Sequence, residues 1–97
     1  MARPFRTDAI EAHDRVIEKI ERKHAVILED VEEACAGVTH VRRVREGRYL
    51  VLGRTDAGRL LACFLARDRA SVFRLISARD MTDGERFEYE RHTKKGR

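Results

Sequence analysis

The sequence predicts an α+β fold with two N-terminal helices, an antiparallel sheet of three to four strands and a C-terminal helix. Three observations carry this reading. Apolar residues first recur at spacings of three and four; after Gly37 they give way to short runs rich in β-branched and aromatic residues, separated by turn signals; and a helical pattern returns behind a capping sequence at Thr82. With 97 residues the chain has room for one core, so residues 1–97 are read as a single domain.

The first helix is expected from about Ala9 to Lys23. Asp8 offers an N-cap with Glu11 three residues on, and Ile10, His13, Ile17, Ile20 and His24 follow at helical spacing. Its basic end, Arg22-Lys23-His24, suits the negative end of a helix dipole. Leu28, Val31, Ala34 and Cys35 predict a second, shorter helix closed by Gly37, packed with the first as a hairpin. Val41-Arg42-Arg43-Val44 then predicts a short strand, and Arg48 to Arg54 a stronger one. Thr55-Asp56-Ala57-Gly58 turns the chain into Arg59 to Ala66, whose two apolar faces mark a central strand. Arg67-Asp68-Arg69-Ala70 leads into a further strand, Ser71 to Ser77, and connections this short imply an antiparallel meander. In the final helix the Thr82 hydroxyl can accept from the Glu85 N–H while the Glu85 carboxylate reaches back to Thr82 N–H.

Composition narrows the function classes. Hydrophobic residues make up 42% and charged residues 39%, with 6% aromatic and no Trp, which implies a thin core under an ionic surface. The net charge is +4, with arginine far outnumbering lysine, and this favours acidic or polyanionic partners. No segment approaches the roughly 20 apolar residues that a membrane span needs, and no apolar run of signal-peptide length opens the chain, so a cytoplasmic protein without membrane contact is expected. Cys35 and Cys63 show no C-x-x-C spacing and read as reduced core residues. His13, His24, His40 and His92 lack ligand spacing, Ser77 lacks a nucleophile elbow, and no Gly-rich loop fits a nucleotide; neither a metal nor a cofactor is expected.

The most informative stretch runs from Val72 to Tyr89. A strand carrying Arg74 and ending near Arg79 delivers guanidinium groups to the start of a helix, where backbone N–H groups and the positive helix end also gather. That combination predicts an anion site, with phosphate as the candidate ligand.

The residues reached so far resemble the BrnT-like toxins of bacterial type II toxin–antitoxin systems, within the wider RelE-like ribonuclease group. The matching words occur in the family's order: Lys23-His24 and Val26, Asp30-Val31-Glu32-Glu33, Gly53 to Arg59, then Ile76 to Thr82 with Glu85-Arg86 and Tyr89. Together they cover most of the chain from about Ile17 onward. The resemblance implies a RelE-like fold and a small toxin that cleaves RNA, with mRNA, free or on the ribosome, the expected class, and so blocks translation. It also implies neutralisation by a cognate antitoxin carrying a ribbon-helix-helix DNA-binding domain. The chain departs from the family where it has Ala25 in place of Gly or Asn, Ile27 in place of a Ser, Thr or Asp cap, no N-terminal Trp, and a short link at Glu46-Gly47.

Metal-independent RNA cleavage needs a base for the ribose 2′-OH, cations for the transition-state phosphorane and a proton for the leaving 5′-oxygen. On this reading Arg79 and Arg74 bind phosphate, Arg54 joins them if its strand lies close, and His24 or Glu85 transfers protons. Lys23 contacts phosphate, and Tyr89 stacks on a base or stabilises an oxyanion. Each has a plainer reading: His24 lies on an apolar stripe, Glu85 caps a helix, Tyr89 can pack against the sheet, and the arginines can be surface charges. Two other functions compete: a non-catalytic basic module that docks an acidic partner or RNA, and a small dimerising structural protein.

Overall fold

The structure, a computed structural model, describes residues 9–94. In chain order it comprises β1 (Ala9–Glu11), α1 (Asp14–His24), α2 (Leu28–Ala36), β2 (Thr39–Arg45), β3 (Arg48–Arg54), β4 (Leu60–Arg69), β5 (Val72–Asp80) and α3 (Asp83–Thr93). The α+β class and the three helices are as expected. The sheet differs: it has five strands in the order β1-β5-β4-β3-β2, and it is mixed, because β1 runs parallel to β5.

The added strand comes from residues expected to begin the first helix. Ala9, Ile10 and Glu11 pair with Val72, Phe73 and Arg74, and Ile10 packs against the core. Three residues are too few to show a strand's alternation, and Ile10 with His13 fits a helical spacing equally well, so tertiary pairing decides the outcome. The helix instead starts at Asp14, where the His13 side chain accepts from the Arg15 N–H at 3.3 Å. The expected cap, Asp8, lies outside the described residues.

As its two apolar faces require, β4 sits in the middle of the sheet, between β5 and β3. On one face Leu61, Cys63, Leu65, Phe73, Leu75 and Val51 form the main core with Ile20 of α1 and Val31, Ala34 and Cys35 of α2. Here α1 lies over β5 while α2 lies over β3 and β4, so each helix docks on the sheet in place of the expected helical hairpin. The approach of α2 is close: a Cβ on Gly53 would come within 2.2 Å of the Ala34 carbonyl oxygen. Cys35 and Cys63 are free and buried in this core, and their mutual contact together with burial pushes the Cys63 thiol up. On the other face α3 covers β2 and β3, packing Tyr89 with Met81 against Leu50, Leu52 and Ala62.

Arg59, in the β3–β4 connection, ties the layers together. Its guanidinium donates to the Asp80 carboxylate at 2.7 and 3.2 Å and to the His24 and Ala25 carbonyls at 2.7 and 2.6 Å. It thereby satisfies backbone acceptors that the C-terminus of α1 leaves over.

Candidate functional site

The face of the sheet under α3 is only partly covered, and strand register dictates what lines the remainder. In a ladder, directly paired residues point to the same face. One row across β5, β4, β3 and β2 is therefore Arg79, Ala62, Leu52 and His40; the next is Ser77, Phe64, Leu50 and Arg42. A third row brings Arg74, Ala66, Arg48 and Arg45 to that face. The bulge in β5 between the partners of Phe64 and Leu65 makes this possible, since it returns Arg74 to the side occupied by Arg79. The result is an apolar strip, Phe64 with Leu50, flanked by arginines from three strands. Arg42, Leu50 and Phe64 of the second row, with Arg79 and Glu85, line an open cleft of about 430 Å³, within the range of small-ligand sites.

At the β5 end, Arg79 and Glu85 form a two-point ion pair, Nη1 to Oε1 at 2.7 Å and Nη2 to Oε2 at 3.0 Å. The guanidinium carbon lies 5.3 Å from the centre of the Phe64 ring. Glu85 Oε1 also accepts from the Thr82 N–H at 2.9 Å, while the Thr82 hydroxyl accepts from the Glu85 N–H at 3.1 Å, completing the expected capping box. Hydrogen bonding to Arg79, more than any other contact, holds the Glu85 carboxyl below its ordinary range, with Thr82 adding to the effect against burial. Glu85 is thus an ionised carboxylate with both oxygens engaged, and Arg79 has a structural anchor that the sequence did not reveal.

At the β2 end, His40 Nε2 lies 2.9 Å from Glu88 Oε2, and the Glu88 Oε1 atom is 3.7 Å from Arg42. The His40 ring stacks on His92 with centroids 4.0 Å apart and planes 14° apart, and His92 Nδ1 donates to the Glu88 carbonyl at 2.9 Å. This group escaped the sequence reading. Its members are 48 and 52 residues apart, and only the register of β2 against β3, with α3 laid across both, brings them together.

The expected site residues divide among three places. Arg74, Arg79 and Glu85 share the open face. Arg54 and Tyr89 line a different cleft of about 350 Å³ together with Val38, Leu60, Thr93 and Lys94. Two strand steps separate β3 from β5, so Arg54 does not join Arg79. The Tyr89 ring is 7% exposed and its hydroxyl donates to the Val38 carbonyl at 2.9 Å; burial raises its pKa, which keeps that donor protonated. Lys23 and His24 end α1, which packs on the opposite side of the sheet; there the His24 carbonyl receives Arg59, and its ring helps lower the pKa of Asp80, which Arg59 chiefly sets. His24, Arg79 and Glu85 are therefore not brought together. Arg42, Arg45 and Arg48 are the functional candidates that sequence reasoning missed, although strict alternation along the two strands already places Arg42 and Arg48 on one side each.

Among the described residues no group of His, Cys, Asp and Glu is arranged to hold a metal ion, and no helix is long and apolar enough to cross a membrane.

No family model matches the chain, and no curated protein sequence does. Comparison with solved structures does find a match: the crystal structure of the Brucella abortus ribonuclease toxin BrnT superposes with a TM-score of 0.65 at 16% sequence identity, over 79% of this chain and the whole of that one. The chain has a BrnT-like fold.

Proposed function

We propose that this protein is an endoribonuclease toxin that cleaves RNA, with mRNA the expected class, by metal-independent transphosphorylation, and so inhibits translation. The observation that carries the reading is the row arrangement of Arg74, Arg79 and Arg42 around Phe64 on the open sheet face of a BrnT-like fold. Guanidinium groups bind phosphate oxygens in two-point fashion, and an aromatic floor accepts a base by stacking. Arg79 stabilises the charge that develops on the phosphorane, while Glu85 acts on the reaction through Arg79, fixing its rotamer. Arg74 and Arg42 bind flanking phosphates, and Arg54 extends the basic surface beyond the cleft. The partner that neutralises such a toxin is a cognate antitoxin with a ribbon-helix-helix DNA-binding domain, presenting acidic residues to the same arginines.

A second reading is a non-catalytic basic module that docks an acidic partner or RNA. It draws support from Arg79, whose charge Glu85 already balances. Expression without an antitoxin and incubation of the purified protein with RNA, alone and with ribosomes at fixed salt, separate the two. The ribonuclease reading expects growth arrest and cleavage, both lost in Arg79→Ala. The binding module expects RNA retention without cleavage, and that result would overturn the proposal.

A further inference from the structure

The removal of the ribose 2′-proton has no residue assigned to it so far, because Glu85 is locked to Arg79 and His24 belongs to the other layer. His40 and Glu88 match that task. A carboxylate oxygen accepts, so across the 2.9 Å contact His40 Nε2–H is the donor to Glu88. Nδ1 is then left with a lone pair and no hydrogen-bond partner among the described residues. A neutral imidazole held on one side by a carboxylate, which stabilises the imidazolium once formed, is the arrangement of a general base. The side chains of both residues keep access to solvent, 22% exposed for His40 and 24% for Glu88.

Position supports the chemistry. Arg79 and His40 stand at opposite ends of one row, three strand spacings apart. They lean toward the same helix, however, because Arg79 is bound to Glu85 and His40 to Glu88. Residues three apart on a helix have Cβ atoms about 5–6 Å apart, so α3 gathers a phosphate-binding group and a base against neighbouring turns of one helix face. Arg42, beside Glu88, adds a second cation at that point.

Resting on the ribonuclease reading, we infer that His40, oriented by Glu88, is the catalytic base of this site. His40 Nδ1 takes the proton of the 2′-OH, O2′ bonds to phosphorus, and the P–O5′ bond breaks. The 5′-oxygen takes a proton from solvent while the imidazolium returns its own, leaving a 2′,3′-cyclic phosphate and a 5′-hydroxyl. No oxidant, reductant or metal enters the balance. The charged and titratable groups facing His40 are Glu88 and His92 on α3 and Arg42 on β2; the neighbour on β3 is apolar Leu52.

The test is RNA cleavage by the full chain, with kcat, KM and the pH–rate profile measured for wild type, His40→Gln and Glu88→Gln, and folding checked by thermal melting. The inference expects His40→Gln to lower kcat by about 10²–10⁴-fold with KM little changed and the acidic limb of the profile lost. Glu88→Gln, which keeps an acceptor but not the charge, should lower kcat less and shift that limb. Should His40→Gln prove too unstable to assay, Glu88→Gln alone decides, an unaltered profile counting against the inference. A wild type that cleaves alongside a fully active, folded His40→Gln overturns His40 as base and leaves the ribonuclease reading standing. A wild type that cleaves no RNA overturns both.

Discussion

At Ala25 the backbone turns left-handed, with φ of 55° and ψ of 40°, so that its N–H and that of Val26 can return to the Glu21 and Ile20 carbonyls and close α1. A β-carbon disfavours this conformation by about 1–2 kcal/mol, which explains why Gly or Asn suits the position. Two residues on, Ile27 caps α2 with no acceptor of its own; only the Asp30 carboxylate reaches back, taking the Ile27 N–H at 3.3 Å. Because Ile27 is 42% exposed, little core is lost on replacing it. Ala25→Gly should raise stability by about 0.5–1 kcal/mol and Ile27→Ser by about 1 kcal/mol, read as shifts in urea midpoint at constant m value. The sites are separate enough in mechanism for the double variant to show most of the sum; a loss of stability in either single variant contradicts the cap assignments. Both residues were visible as departures in the sequence, since caps are local and their chemistry is readable without tertiary context.

Among the elements, the contact of β3 with α2 is the least tolerant. The Gly53 backbone lies under Ala34, and what a side chain would meet there is a carbonyl oxygen, which cannot rotate away. Gly53→Ala should therefore destabilise by about 3 kcal/mol, the upper end for overpacking, seen as a lowered urea midpoint. For α3 the sensitive contact is electrostatic. Glu85 has its pKa depressed in the folded state, chiefly by Arg79, so its contribution is fully present above the unfolded carboxylate value of 4.5 and fades as pH falls through the lower folded value. Glu85→Gln should be less stable than wild type by about 1–2 kcal/mol at pH 7, and the gap should close below pH 4.5. A gap that widens in acid contradicts the assignment. Helix α3, the β3–β4 hairpin and the central place of β4 were legible because capping boxes, turn residues and two-sided apolar runs are local signals. The parallel strand β1 was not, because its identity lies in Val72 and Phe73, more than sixty residues away.

For the molecule as a whole, the decisive property is which arginines share a face, and that depends on register more than on number. A net charge of +4 does not distinguish Arg54 from Arg79; the ladder does, setting them two strand steps apart and in different clefts. Arg74 and Arg79 were found because they flank a recognisable strand end, whereas Arg42, His40 and Glu88 are unremarkable in sequence and meet only when β2 pairs with β3 under α3. The activity proposed for this face is RNA cleavage through the ribose 2′-hydroxyl. It is tested most directly by incubating the protein, in EDTA, with end-labelled RNA and with the same strand carrying a 2′-deoxy nucleotide at the cleaved position. The all-ribose strand should be cut to a 2′,3′-cyclic phosphate and the deoxy-substituted position should be left intact. Cleavage at the deoxy position, or dependence on the chelated metal, would contradict it.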